Sequence, residues 1–168
     1  NIKGEKVALS NFQEIDITDK YLSWLNDPEV VQYSRQRFID HDFLSSKKYF
    51  ESFAESKNLF ISIKLLKDNQ MIGTMTVYFS MHNTADVGIL IGDKSQWGKG
   101  HGKDAWNSLL MWLENELNIV KITAGTLASN IGMLKVIKES GMSLEAKKNH
   151  ETIDSKSIDI LYFSRFKN

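Results

Sequence analysis

Three of the ten glycines fall within five residues, at Gly98, Gly100 and Gly102, with Lys99 and Lys103 beside them. Bare backbone lets several amides converge on one point, and a helix that starts there adds about half a positive charge. That combination is a cradle for a phosphate or pyrophosphate. The same residues also fit a turn that merely starts a helix. Two other phosphate motifs fail on spacing. A P-loop needs Ser or Thr after its lysine, and none follows Lys103. A dinucleotide fingerprint needs Gly-x-Gly-x-x-Gly after the first strand of a parallel unit, whereas this spacing is Gly-x-Gly-x-Gly after a meander. A nucleotide-hydrolysing reading is therefore disfavoured.

Arg35 and Arg37, in Tyr33-Ser34-Arg35-Gln36-Arg37-Phe38, are the other charged pair with chemical promise. Two guanidinium groups beside Tyr and Gln can hold a phosphate or carboxylate bidentately; a solvated basic turn is the plainer reading. His41, His82, His101 and His150 show neither i,i+4 pairing nor carboxylate spacing, so no metal site is expected. There is no Cys, which removes a thiol nucleophile and a disulfide framework and fits a reducing, cytoplasmic compartment.

The elements that must position these residues follow from periodicity. Val7-Ala8-Leu9 is a short strand. Thr18 can N-cap a helix with Tyr21, Leu22 and Leu25 on one face. Asp27 and Pro28 suit the start of another helix, and residues 42–56 carry a further helical pattern. Segments 59–65, 73–79 and 85–91 read as three antiparallel strands joined by turns at 67–70 and 82–84. After the glycine loop, Ala105, Trp106, Leu109, Leu110, Trp112, Leu113 and Leu117 make the clearest amphipathic helix, with the tryptophans as core. A strand at 119–126, a short helix at 131–140 ended by Gly141, and strands near 142–150 and 157–166 complete the order. This is a mixed α/β (α+β) chain on one sheet.

Composition sets the outer limits. A chain of 168 residues without a Pro-rich linker or repeat is one domain, 1–168. Charges balance at 21 basic and 21 acidic residues, so no general nucleic-acid binder is expected. No apolar run approaches a membrane span, and no charged-then-apolar segment opens the sequence, so neither a membrane partner nor a secretory leader is expected.

Trp97-Gly98-Lys99-Gly100-His101-Gly102 resembles motif A of the GNAT (general N-acetyltransferase) superfamily, in the branch of ribosomal-protein N-terminal acetyltransferases. Trp97 stands where Gln or Arg opens the motif, a departure common in that branch. Ala85-Asp86-Val87-Gly88-Ile89-Leu90-Ile91 resembles the branch's Ala-Glu-Ile-Gly-Tyr-Trp-Leu strand. Asn130-Ile131-Gly132-Met133 and Gly141-Met142 resemble motif B, and Trp24-Leu25-Asn26-Asp27-Pro28-Glu29-Val30 resembles the N-terminal Trp-x-Asn-Asp-Pro-Glu-Val. The likeness covers about residues 5–165.

The resemblance implies a mostly antiparallel sheet of about seven strands flanked by helices, with the strand before the glycine loop and the strand after the helix splayed apart. It implies acetyl-coenzyme A as co-substrate and no metal. Trp97, Gly98, Lys99, Gly100, His101, Gly102 and Lys103 would form the pyrophosphate loop. Ile89, Leu90 and Ile91 would pair with the pantetheine arm, and the Ile89 amide would polarise the thioester carbonyl. Asn130 would bond that arm or simply cap its helix. Asp86 aligns with a Glu that removes the amine's proton in some relatives; on its own it also reads as an outward polar strand residue. The family's general acid is missing: Ile137 and Met133 stand where Tyr and Ser would be. Water, His101, His150 or another Tyr could protonate the thiolate.

The acceptor would be a primary amine. Segments like 26–37 resemble those of acetyltransferases acting on surface-polysaccharide sugars, which leans toward an amino-sugar nucleotide read by Arg35 and Arg37. A protein N-terminus is the alternative acceptor, and a non-catalytic coenzyme A-binding module the alternative class. The resemblance leaves a homodimer open.

Overall fold

The computed structural model describes residues 1–151 and 157–167. Its strands are β1 (Ile2–Lys3), β2 (Val7–Asn11), β3 (Leu59–Leu65), β4 (Met71–Ser80), β5 (Thr84–Ile91), β6 (Lys121–Leu127), β7 (Ser143–Glu151) and β8 (Ser157–Phe166). They form one eight-stranded sheet in the order β1-β2-β3-β4-β5-β6-β8-β7. The helices are α1 (Asp19–Leu25), α2 (Phe43–Ala54), α3 (His101–Asn115) and α4 (Ile131–Glu139). Three short 3₁₀ turns, Glu14–Asp16, Arg35–Phe38 and Lys94–Gln96, sit between elements.

The meander β3-β4-β5 is antiparallel throughout. Asn69, His82 and Asn83 take left-handed backbone in its two connections. β5 and β6 make the one parallel pairing among the described strands, limited to Thr84↔Lys121, Ala85↔Ile122 and Asp86↔Thr123. Beyond Asp86 the two strands part, so the lower half of β5 has an open edge inside the sheet.

Strand alternation gives the sheet two buried faces. On one, Ala85 and Val87 meet Ala105, Trp106, Leu109, Leu110 and Leu113 of α3, all fully buried or nearly so. Trp106 is anchored there by an Nε1–H bond of 3.1 Å to Ser140 Oγ, and Trp112 packs against the same core. On the other face, Phe12, Phe53 and Phe60 stack, and Tyr21 and Trp24 of α1 join them. Truncating a wholly buried leucine such as Leu110 to Ala should cost about 2–5 kcal/mol.

Four expectations are corrected. The sheet gains Ile2–Lys3, too short to show a period. The chain at Asp27-Pro28 makes a single turn rather than a helix: Asp27 Oδ1 accepts from the Glu29 amide at 3.0 Å, and Val30 and Val31 then drop into the core. Leu117 lies beyond α3, which ends at Asn115 before Asn118 reverses the chain with positive φ. The following strand begins at Lys121 rather than at 119.

Candidate active site

The glycine loop hangs from the end of β5. Trp97 Nε1 donates to Ile91 O at 2.8 Å, and Asp93 caps the preceding 3₁₀ turn through the Ser95 amide while bonding Lys20 at 2.9 Å. Gly98 and Gly100 have φ of +72° and +81°, where a side chain would be strained. Gly100 stands at the N-cap of α3 and offers no side-chain cap. Among the described residues, none of the backbone amides from Gly98 to Lys103 has a protein partner. These are free donors at a positive helix end, the arrangement an anion would complete.

The charges around the loop differ from their sequence reading. Lys103 is held by Glu139 of α4 at 2.9 Å, whereas Lys99 is exposed. Lys6, remote in sequence, reaches the loop and donates to Lys99 O at 2.8 Å. It is brought there by Asp104, whose carboxylate accepts from the amides of Glu5, Lys6 and Val7 at 3.0, 2.8 and 3.0 Å. Burial lowers the His101 pKa, and Lys6 and Lys99 add to the effect. His101 is therefore neutral near pH 7, and its Nδ1 is buried without a partner among the described residues.

Below the loop lies the opened edge of β5. The Gly92 amide bonds Ile72 O at 2.9 Å, which sets the phase of the β4–β5 ladder. By alternation, Gly88 and Leu90 turn their amides and carbonyls to β4, and Ile89 and Ile91 turn theirs to the gap. Of the three residues proposed to pair with an extended arm, Leu90 thus spends its polar backbone within the sheet. Ile91 O is taken by Trp97, leaving the Ile91 amide and both polar groups of Ile89 facing the gap.

Asp86 sits where the two strands separate. Thr123 Oγ1 of β6 donates to Asp86 Oδ1 at 2.7 Å. The side chain reaches solvent, yet the protein around it withdraws enough water to raise its pKa above the usual value; the Thr123 bond opposes that rise. Asp86, Gly88 and Leu90 share the face covered by α1 and α2, so the acid points to the cleft side rather than into the α3 core.

That face holds a cavity of about 570 Å³. α1 contributes Tyr21, α2 contributes Ser46 and Tyr49, the Arg35–Phe38 turn contributes Gln36, and β5 contributes Gly88 and Ile89. Burial raises the Tyr21 and Tyr49 hydroxyls far above the ordinary tyrosine value, and Tyr49 also lies 3.5 Å from the Tyr78 hydroxyl. Both phenols are protonated donors at any working pH. The cavity roof is pinned by Asn26, which donates to His41 O at 2.7 Å and accepts from the His41 amide at 2.8 Å. His41 Nε2 stands 3.1 Å from Gln36 O; a carbonyl only accepts, so Nε2 carries the proton.

Arg35 and Arg37 flank Gln36 without lining the cavity. Arg35 is exposed; Arg37 donates to Ser34 O at 2.7 Å and stacks on Phe38. Asn130 caps α4, accepting from the Met133 amide at 3.2 Å through Oδ1, and its Nδ2 has no partner among the described residues. Ile137 is wholly buried in the α3 core and Met133 packs against it. The His150 side chain lies outside the described residues. Sequence reasoning missed Tyr21 and Tyr49 as site residues because they count as apolar members of helix stripes. It missed Lys6, Asn26, Thr123 and His41 because no local pattern links residues so far apart. Among the described residues no three His, Asp or Glu groups could hold a metal, and no helix is long and apolar enough to cross a membrane.

Comparisons with known proteins bear on this geometry. An uncharacterised protein of Methanocaldococcus jannaschii is 25% identical over 152 residues, covering 89% of this chain and 30% of that protein, so the chain spans about a third of that relative's length. Probable N-acetyltransferase YjcK of Bacillus subtilis is 27% identical over 159 residues, covering 88% of this chain and 87% of YjcK. Among solved structures, a GNAT-family acetyltransferase from Bacillus anthracis superposes with a TM-score of 0.84 at 18% identity, covering 99% of this chain and 98% of the other. Spermidine N-acetyltransferase from Vibrio cholerae, solved with CoA and spermine, gives 0.83 at 16% identity over 96% and 95%. Ribosomal-protein-S5-alanine acetyltransferase from Vibrio fischeri gives 0.82 at 18% identity over 99% and 96%. At these identities the structures speak for the fold alone. The acetyltransferase (GNAT) domain family matches residues 6–143, most of the chain, and the chain belongs to that family.

Proposed function

We propose that this domain transfers an acetyl group from acetyl-coenzyme A to a primary amine. The observation that carries the reading is the Ile89 amide, turned into the β5–β6 gap, next to a loop of unpartnered amides at the start of α3. Acetyl-coenzyme A would supply an activated acyl carbon on a thioester. The 98–103 amides and Lys99, with Lys6 behind the loop, would hold its pyrophosphate. Ile89 and Ile91 would bond its arm, with the Nδ2 of Asn130 as a further donor. The Ile89 N–H would stabilise charge growing on the thioester oxygen.

An alkylamine arrives protonated at neutral pH. Asp86 would take that proton, directly or through water, while Thr123 holds the carboxylate in place. Its raised pKa favours proton capture. Buried Ile137 has no proton to give, so the leaving thiolate would draw one from water or from a cavity phenol.

For the acceptor, the reading is an amino-sugar nucleotide. The cavity lining mixes aromatic, hydroxyl-bearing and aliphatic residues, Leu25, Ile39 and Met75 among the last, with no Asp, Glu, Lys or Arg, which suits a neutral ring better than a polycation. Arg35 and Arg37, beside the cavity, would meet the anionic part. The missing Tyr and Ser favour a second reading, a module that binds coenzyme A without catalysis. Thiol release from acetyl-coenzyme A, measured over a panel of amines, separates the two. Transfer to an amino-sugar nucleotide supports the first, whereas tight coenzyme binding without release for any amine supports the second.

A further inference from the structure

Five helical or helix-end serines show what this chain does with a spare hydroxyl. Ser23 Oγ donates to Lys20 O, Ser52 Oγ to Tyr49 O and Ser140 Oγ to Ile137 O, each at 2.6 Å; Ser45 and Ser56 Oγ make the same kind of bond at 3.1 Å. Turning back on the preceding helical turn is the easy way to satisfy serine in a helix. Ser46 does not take it. It is 4% exposed, lines the cavity, and its Oγ has no partner among the described residues.

A buried hydroxyl without a partner is destabilising, and alanine would fill the same place without that cost. The surroundings give the hydroxyl something to do. Ser46 and Tyr49 lie three residues apart on one face of α2, and Thr74 and Thr76 face them from β4. Phe60 and Tyr21 supply flat apolar walls to the same space. Hydroxyl groups opposite aromatic faces form a surface for a ring that carries its own hydroxyls: one side stacks while the edge exchanges hydrogen bonds. A charged group would find no counter-charge there.

We infer that Ser46 is a specificity-determining residue that hydrogen-bonds a ring hydroxyl of the acceptor, so that the cavity selects an uncharged polyhydroxylated ring bearing the amine. This rests on the acetyl-transfer reading above and adds which part of the acceptor is read, and by what. It also requires the free protein to carry an unfavourable hydroxyl that only the acceptor satisfies.

The test compares the wild type with Ser46→Ala and with Ser52→Ala, an exposed serine on the outer side of α2, using UDP-glucosamine and cyclohexylamine as ring amines with and without hydroxyls. For UDP-glucosamine, Ser46→Ala should raise KM and lower kcat/KM roughly tenfold, the scale of one hydrogen bond left unmade. For cyclohexylamine it should change nothing. Acetyl-coenzyme A affinity by calorimetry should be unaltered, and Tm should stay or rise. Ser52→Ala should leave all four readings alone. Equal losses on both amines, no loss on either, or a fall in Tm would each overturn the inference. If the wild type releases no thiol with any amine, acetyl transfer itself fails. The Ser46 assignment then depends on calorimetric binding of UDP-glucosamine: weakening by Ser46→Ala keeps it, and equal or absent binding overturns it.

Discussion

The glycine loop and the cavity under α2 meet at strand β5 and are made of different material. The loop is backbone: amides at the head of α3, two left-handed glycines, and the unpaired edge of Ile89 and Ile91. The cavity is mostly side chain: phenols, hydroxyls, one imidazole and aliphatic groups, drawn from α1, α2, the segment between them and the facing strands β3, β4 and β5. Backbone donors present one fixed geometry to one ligand, and they depend on conformation rather than residue identity. Side chains on two helices can change one at a time. A fold that holds the coenzyme by backbone and the acceptor by side chains can keep the first partner while the second varies.

The largest test of this division is Asp86, which belongs to both regions. Asp86→Asn should cut turnover by about a hundredfold at pH 7, the lower range for losing a general base. The loss should shrink at pH 9, where more amine is already free. The same variant has a stability signature. Burial raises the folded-state pKa, so the folded protein holds the proton to higher pH than the unfolded chain, and the wild type loses stability as pH rises through that interval. Asn should therefore be the more stable form at neutral pH, with the two converging near about pH 3, where the acid is protonated in both states. Chemical denaturation at the two pH values reads this. A uniform drop in rate at all pH values would make Asp86 a structural residue.

On the backbone side, Gly100→Val should weaken acetyl-coenzyme A binding about tenfold or more, because a β-branched residue at φ +81° is strained by roughly 1–3 kcal/mol. Gly100→Asp should lose less than its charge implies, since Lys6 Nζ lies 3.3 Å from the new Cβ position. Calorimetry on both variants separates backbone strain from charge; a loss for Gly100→Asp well beyond that for Gly100→Val would show that Lys6 does not screen the site.

On the side-chain side the effects should be smaller and confined to the acceptor. Asn26→Ala removes both bonds to His41 and frees the roof. Each is worth about 1 kcal/mol, so acceptor KM should rise several-fold and Tm fall by a few degrees, with coenzyme affinity unchanged. The Arg35→Gln, Arg37→Gln double variant should lower kcat/KM for an anionic acceptor by roughly fivefold or less. Arg35 is exposed and Arg37 is already bonded to Ser34 O, so the interaction is of the surface kind and should fade with added salt. Loss of coenzyme affinity in either acceptor-side variant would break the division.

Much of this molecule is written in short-range pattern. The meander, the α3 stripe, the Thr18 cap, the Gly98–Gly102 spacing and the left-handed Gly141 after α4 each depend on neighbours within a turn or a hairpin, and composition and order alone yield them. Which face of β5 carries Asp86, and that Leu90 turns its amide to β4 while Ile89 turns to the gap, follow from ladder phase, set by one pairing with Ile72 twenty residues earlier. The approach of Lys6 to the loop depends on Asp104 gathering three amides nearly a hundred residues away. Thr123 finds Asp86 only because a crossover through α3 returns β6 beside β5 for three residues. The orphaned hydroxyl of Ser46 is visible only once α2 is laid over the sheet. Periodicity and capping are local energies that a sequence states directly; register, sheet face and cavity walls are set by which distant surfaces bury one another, and no local preference encodes that choice.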